Sequence, residues 1–293
     1  MKAADFDYAR AATVAEACRL LDGASGDGKL IAGGQTLVPL LVMRLARPSL
    51  IIDIARIEEI QGIDDEADSV AIGAATRQAD ALGDAALARR LPLLVKALKM
   101  VGHPQTRNRG TIGGSLCNAD PAAEIGLVAR TLDAELVVRS MKGERVIPIA
   151  AFFLGAMTTV LAPEDCLTRV RFPVWRDKGQ LGTGFEEMSL RRSDFALVAA
   201  SCQLVLDADR VCRRLALAIG GAEPAPKRMD EAAGRLIGTR LEPRELAAAS
   251  RDVEAGLDPI GDVHASAGYR RRVAGALALR AIEAARDDAL ARA

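Results

Sequence analysis

Short β-branched runs alternate with stretches of helical periodicity through the first half of the chain, the pattern of an α/β or α+β arrangement. Lys29–Ala32 (KLIA), Leu50–Ile54 (LIIDI) and Ser69–Gly73 (SVAIG) are predicted strands. Between the first two, Thr36–Leu45 (TLVPLLVMRL) reads as a helix, with Pro39 in the first turn, where a missing N–H costs little. Thr76 is a predicted N-cap, and Leu91–Met100 (LPLLVKALKM) carries an apolar face at helical spacing. The polar, glycine-bearing stretch Gly102–Asn118 is predicted to be an ordered loop, and long loops in compact domains are often functional. Asp120 followed by Pro121 has the form of a cap and a fixed first φ, predicting a helix over Pro121–Leu132, after which Ala134–Ser140 (AELVVRS) is strand-like.

Leu167–Phe172 (LTRVRF) alternates and stops at Pro173, and the polar, turn-rich Val174–Gly184 that follows marks the expected boundary between units 1–176 and 177–293. Beyond it, Gly184–Leu190, Phe195–Asp207 and Arg213–Gly221 alternate as an antiparallel sheet would. Helical segments come next, Pro226–Gly238, Glu242–Leu257 and about Ala267–Leu290. Strands then helices make the second unit α+β.

The 293 residues are half apolar, enough for more than one core. Lys plus Arg and Asp plus Glu each count 39, so no net field selects nucleic acid or an anionic membrane. Aromatic residues at 3 % provide no stacking platform for single strands. The N-terminus lacks a basic segment followed by an apolar core, and no run has the length of a membrane span, so a soluble cytoplasmic protein is expected. Cys18, Cys117, Cys166, Cys202 and Cys212 stand singly, a spacing that fits reduced structural thiols better than a zinc or iron–sulfur motif. His103 and His264, far apart, have no patterned carboxylates around them for a metal site or a triad.

Two glycine-pair loops carry the candidate chemistry: Ala32-Gly33-Gly34-Gln35-Thr36-Leu37 and Thr111-Ile112-Gly113-Gly114-Ser115. Paired glycines let successive backbone N–H groups converge on one point, which is how a phosphate is cradled, although a single pair also marks an ordinary tight turn. The first loop runs into a predicted helix start, which adds to the attraction for an anion. Neither loop has Rossmann or P-loop spacing, so NAD in a doubly wound fold and ordinary NTP hydrolysis lose support.

The loops and their flanks, Val38-Pro39 with Arg44-Leu45-Ala46-Arg47-Pro48 and Asn118-Ala119-Asp120-Pro121-Ala122, resemble the flavin motifs of the FAD-binding medium subunits of molybdenum hydroxylases, the carbon monoxide dehydrogenase and xanthine dehydrogenase family. Val101-Gly102-His103-Pro104-Gln105, Arg191-Arg192-Ser193-Asp194-Phe195-Ala196 and Tyr269-Arg270-Arg271 extend the resemblance over nearly the whole chain. The two loops lie about 80 residues apart in the order of the family, which is far more specific than either alone.

The resemblance implies an α+β fold: a two-subdomain FAD-binding domain of the vanillyl-alcohol-oxidase (PCMH) type followed by a smaller α+β C-terminal domain. It implies non-covalent FAD gripped by Ala32, Gly33, Gly34, Gln35, Thr36 and Leu37 and by Thr111, Ile112, Gly113, Gly114 and Ser115. Glu124 stands where the family bonds the ribose, commonly with Asp, and Ser115 replaces a frequent Asn. Leu167 matches an apolar residue near the flavin, and Glu186 falls where xanthine dehydrogenases carry a lysine on the cofactor. Arg191, Arg192 and Asp194 belong near the flavin, on a partner surface, or in a solvated turn. The Tyr269 and Arg270–Arg272 run reads as structural. Molybdopterin and [2Fe–2S] clusters are expected only in partner chains, a large and a small subunit, with the assembly a dimer of heterotrimers. Electrons would pass from the clusters through FAD to an outside acceptor, and no acid–base residue of this chain is needed. A self-sufficient FAD oxidase or dehydrogenase and a non-catalytic assembly module are the alternatives.

Overall fold

The computed structural model describes residues 2–191 and 193–292. Three parallel strands begin it, β1 (Asp7–Arg10), β2 (Gly28–Ile31) and β3 (Leu50–Asp53), with β3 in the centre. Parallel neighbours need crossovers, and α1 (Val14–Gly23) and α2 (Leu37–Val42) provide them. Thr13 Oγ1 accepts from Glu16 N at 3.1 Å while Glu16 Oε2 accepts from Ala12 N at 2.7 Å, a reciprocal cap that starts α1. Its buried stripe, Val14, Ala17, Cys18 and Leu21, closes over Ile52 of the sheet. The helix predicted over Thr36–Leu45 is shorter than expected. Arg44 takes φ +59°, and the amides of Leu45 and Ala46 return to Leu40 O, a left-handed stop that ends the turn early.

A second sheet follows, built from β4 (Ile63–Asp65), β5 (Ser69–Gly73), β6 (Glu135–Ser140) and β7 (Gly143–Pro148) and, after the small hairpin of β8 (Phe153–Gly155) and β9 (Thr158–Thr159), from β10 (Cys166–Pro173). It is antiparallel in the order β4-β5-β10-β6-β7. Between β5 and β6 run α3 (Gln78–Gly83), α4 (Ala85–Arg90), α5 (Pro92–Met100), α6 (Pro104–Arg109), α7 (Ile112–Asn118) and α8 (Glu124–Thr131). Leu93, Leu94, Leu98, Ile112, Leu116, Ile125 and Val128 of these helices bury against Ile72, Leu136, Val170 and Phe172 of the strands, forming the largest core.

Several local expectations are corrected here. Gly102–Asn118 is two short helices, not a loop: Pro104 sits in the first turn of α6 and Thr111 caps α7, signals hidden by the lack of an apolar stripe in PQTRNR. Asp120-Pro121 forms a turn, with Ala122 N donating to Asp120 Oδ1 at 2.9 Å and Ala123 N to Asp120 O at 3.0 Å; the helix begins at Glu124. Thr76 does not cap α3, whose N-cap is Arg77; the Thr76 hydroxyl donates to Gly62 O instead.

The second unit starts inside the stretch read as turn-rich. There β11 (Gln180–Ser189) opens an antiparallel sheet with β12 (Ala196–Leu206), β13 (Cys212–Gly220) and the two-residue β14 (Lys227–Arg228). The helix predicted from Pro226 therefore begins only after β14, as α9 (Asp230–Leu236), and is followed by α10 (Pro243–Ala255) and α11 (Ala267–Ala291). These cover one face of the sheet and enclose the second core. Gly182 and Gly184 let α11 lie directly on β11, because a Cβ there would sit 2.7 Å from Ala289 N and 3.0 Å from Ala285 N respectively, and each would strike a helix carbonyl, of Ala285 and Ala281.

The opposite face of this sheet meets α8 through Leu127, Ala196, Ala199, Ala218 and Phe185. Polar ties reinforce the seam. Lys96 Nζ donates to Thr183 O at 2.5 Å and to Asp288 Oδ2 at 3.0 Å, and that carboxylate also accepts from Thr183 N and Oγ1 at 2.9 Å each. Arg228 Nη1 reaches Thr131 O at 3.0 Å and Asp133 Oδ2 at 2.7 Å. No helix among the described residues is long and apolar enough to cross a membrane.

Gly184→Ala is expected to destabilise the chain by about 1–3 kcal/mol or more, since a single methyl forces α11 off the strand. Gly234→Ala, in α9 with nothing within 4 Å of the added Cβ, is expected to be neutral or to stabilise by about 0.5–1 kcal/mol. Denaturant melts of both variants check the contrast; a Gly184→Ala protein as stable as wild type would contradict the packing described.

Candidate functional site

At the C-terminal edge of the parallel sheet, where open sheets of this kind bind ligands, β2 delivers the chain into Ala32-Gly33-Gly34-Gln35-Thr36. Gly34 takes φ +71°, and a Cβ on it would also approach Val38 Cγ2 at 3.1 Å. Among the described residues, none of the backbone N–H groups of Gly33, Gly34, Gln35, Thr36 and Leu37 has an acceptor, whereas the next amide, Val38 N, bonds Gly34 O at 3.0 Å. The Thr36 hydroxyl makes no capping bond. A run of free backbone donors on a glycine loop is suited to an anion. The Gln35 amide folds back on the loop, Nε2 donating to Gly33 O at 3.3 Å, so the side chain braces the main chain.

The second glycine motif lies directly behind the first. A Cβ on Gly33 would sit 2.9 Å from Gly110 Cα and collide with the Arg109 carbonyl. Here, by contrast, the amides are used within the protein: Ile112 N donates to Thr76 O at 3.1 Å, Gly113 N to Ala74 O at 2.8 Å, Gly114 N to Thr111 Oγ1 at 3.0 Å and Ser115 N to Thr111 O at 3.2 Å. A Cβ on Gly113 would lie 2.7 Å from Ala74 O, and one on Gly114 would lie 2.6 Å from Thr111 Oγ1. The two motifs therefore do different work: the first presents donors, and the second packs and caps so that α7 can back the first, with the half-buried Ser115 the fourth residue of that helix.

Glu124 heads α8, and burial, then the charges of Glu187 and Asp120, push its carboxyl up to about 7. Burial also pushes Glu187 up to about 7, and its Oε2 has no partner among the described residues. Strand alternation explains the pairing: Glu187 shares a face of β11 with Phe185 and lies opposite Ala199, the face turned to α8. Glu186 is on the alternate face, with Gly182, Gly184 and Met188, turned toward α11. Leu167 is buried in the first unit's core, opposite Val138, and the neighbouring Thr168 O accepts from Ala74 N at 2.9 Å, so β10 supports the same Ala74 on which Gly113 rests.

Arg191 is exposed, and Arg192 lies outside the described residues. Asp194 and the exposed Phe195 border a cleft of about 420 Å³ between Pro121 of the first unit and Gly221 and Arg270 of the second. Arg270 is structural, donating to Leu197 O at 2.5 Å, Gly221 O at 2.8 Å and Asp262 Oδ2 at 2.6 Å. The backbone N–H groups of His264 and Ala265, and then Arg270, hold Asp262 down to about 2. His103, at the start of α6, and Cys117 are exposed, and the other four cysteines are buried. Sequence reasoning missed Glu187, which period-2 counting from the apolar Phe185 would have found, and Arg77, which no motif marked.

A parallel sheet and an antiparallel sheet joined at a glycine cradle, followed by a unit of strands then helices, define an FAD-binding flavoprotein of the PCMH type. Residues 4–175 match the family described as FAD binding domain in molybdopterin dehydrogenase, and residues 183–285 match the CO dehydrogenase flavoprotein C-terminal domain. The chain belongs to the FAD-binding medium subunits of molybdenum hydroxylases, a family of oxidoreductase subunits, and FAD is its cofactor. It is 39% identical over 273 residues to the 6-hydroxypseudooxynicotine dehydrogenase complex subunit alpha of Paenarthrobacter nicotinovorans, covering 93% of this chain and 92% of that one. The carbon monoxide dehydrogenase medium chain of Hydrogenophaga pseudoflava is 32% identical, with 96% of each chain covered. Among solved structures, quinoline 2-oxidoreductase from Pseudomonas putida 86 superposes with a TM-score of 0.94 at 33% identity, covering 99% of this chain and 100% of that one.

Gly34→Val places a β-branched side chain at positive φ, a strain of about 1–3 kcal/mol, and blocks approach to the free amides. The FAD-to-protein absorbance ratio is expected to fall sharply while the fold survives. Gly114→Val is expected to lose both FAD and thermal stability, because it breaks the Thr111 cap.

Glu124 has a pH signature. Its folded carboxyl stays protonated up to about 7, while the unfolded one ionises near 4.5, so its contribution to stability declines as pH rises through that window and stays at its lowest above it. Glu124→Gln is expected to raise the melting temperature of the apoprotein over wild type at pH 8 and to change it little at pH 4.

Proposed function

We propose that this chain is the electron-relay subunit of a molybdenum hydroxylase complex. The observation that carries the reading is the run of amides from Gly33 to Leu37 without acceptors among the described residues, backed by Arg109 and Gly110, donors of the kind that hold phosphate oxygens. When bound, FAD supplies the redox chemistry, accepting and releasing electrons through its isoalloxazine ring. The residues of this chain hold and orient it. Ala32 to Leu37 take the phosphates, Thr111 to Ser115 fix the loop behind them, and Glu124 accepts from ribose hydroxyls. Leu167 backs the site from within the core, and Glu186, on the face of β11 turned toward α11, is left out of the cofactor set.

The units responsible run over 1–176 for FAD and 177–293 for the seam with it and with partners. Electrons arrive from the [2Fe–2S] clusters of a small partner subunit, after a large molybdopterin-binding subunit has oxidised substrate, and leave to an external acceptor. The complex is a cytoplasmic dimer of heterotrimers, with FAD held non-covalently. Supporting this are relatives named as a subunit of a dehydrogenase complex and as a medium chain, each matched along nearly its whole length.

Anaerobic reduction tests the reading. Coexpressed with its two partners, the chain is expected to copurify with them, and substrate is expected to bleach the flavin absorbance only in that complex. Rapid substrate-driven bleaching of the isolated chain would overturn the relay and favour a self-sufficient oxidase. Acid precipitation is expected to release all yellow colour; flavin retained in the pellet would mean a covalent link.

A further inference from the structure

We propose that Arg77 is the charge partner of the FAD pyrophosphate, supplying beside the first glycine loop the positive charge that backbone amides lack. The inference rests on reading that loop as the pyrophosphate cradle and adds to it a side chain from a different element. Arg77 stands at the N-cap of α3, half-buried. Its backbone is pinned to the second motif: Arg77 bridges Thr111, and the next residue donates from Gln78 N to Gly110 O at 2.9 Å. The guanidinium donates through Nη1 to the Arg109 carbonyl. That carbonyl is the atom that leaves no room for a side chain on Gly33. Arginine and glycine loop thus flank one backbone oxygen, which places the cation beside the loop that carries the free N–H groups.

The charges around it are unbalanced. Among the described residues, no carboxylate lies within ion-pair distance of Arg77 or of Arg109. Arg109 repels Arg77, and burial, the larger effect, also lowers its pKa; Asp80 of α3 and Asp53 at the end of β3 act on it only from a distance. Asp53 is committed elsewhere, accepting from Tyr8 OH at 2.7 Å and Ala55 N at 2.9 Å, with Arg10 at 3.6 Å. A half-buried guanidinium whose acidic neighbours lie beyond ion-pair distance is costly, and a pyrophosphate placed over the loop would reduce that cost. The planar fork of arginine matches two phosphate oxygens at once, which lysine does not.

The test uses the full-length apoprotein and titrates FAD, followed by quenching of flavin fluorescence, at low and at high salt, with ADP and riboflavin as competitors. Arg77→Gln keeps a donor for the Arg109 carbonyl but removes the charge. It is expected to weaken FAD about ten- to hundredfold, to abolish competition by ADP while leaving competition by riboflavin unchanged, and to flatten the salt dependence. Arg77→Lys is expected to recover most of the affinity and the salt slope. If Arg77→Gln binds FAD with wild-type affinity and salt slope, the assignment is wrong. It is equally wrong if FAD and riboflavin weaken together with a lower melting temperature, the mark of a brace alone. Failure of wild-type apoprotein to take up FAD at all would overturn the cradle reading together with this one, whereas failure confined to the Arg77 contrast leaves the cradle standing.

Discussion

The Gly33–Leu37 segment leaves its backbone N–H groups without acceptors among the described residues, and it is held in that condition from three sides. Gly33 lies flush against Arg109 and Gly110, Gly34 is in left-handed backbone, and Gly34 O is already committed to Val38 N. The carbonyl and Cα that press on Gly33 stay in place because α7 rests on Ala74, and Ala74 in turn bonds Thr168 O of β10. A continuous set of main-chain contacts therefore runs from the antiparallel sheet through α7 to the loop of the parallel sheet.

Much of this was legible in the sequence, and the misses have physical causes. Buried on both faces, β12 gives no alternation but is marked as a strand by its nearly unbroken apolar run, and the apolar stripes of α5 and α11 declare themselves because burial imposes a period on them. So do both glycine motifs. The short helices α6 and α7 do not, because PQTRNR has no buried side chain and is held by Pro104 and by the backbone on either side. Asp120-Pro121 carries the right cap chemistry but spends it on a turn three residues early. The separate roles of the glycine pairs were invisible, since one dipeptide serves as donor array or as packing notch according to what stands behind it. Arg77 could not be read from pattern at all: its meaning comes from Arg109 O, a backbone atom 32 residues away in sequence.

The seam between the units combines apolar contact with charge in a way that neither unit shows alone. Leu127 and Phe185 close it, Lys96 and Asp288 tie it, and Glu124 of α8 and Glu187 of β11 have raised pKa values. Burial raises both, and the Glu187 charge adds to the effect on Glu124.

The contact of α11 with β11 has a further consequence for how such a chain can drift. Helix and strand touch backbone to backbone through Gly182 and Gly184 against Ala281, Ala285 and Ala289. In most cores a lost methylene on one side can be compensated by a larger neighbour; here there is no side-chain volume to trade. Mutational paths through this interface are closed one step at a time, and the helix must keep its register on the strand while the exposed helix face varies freely. The end of the chain is thereby fixed more tightly by five small residues than its polar outer surface would suggest.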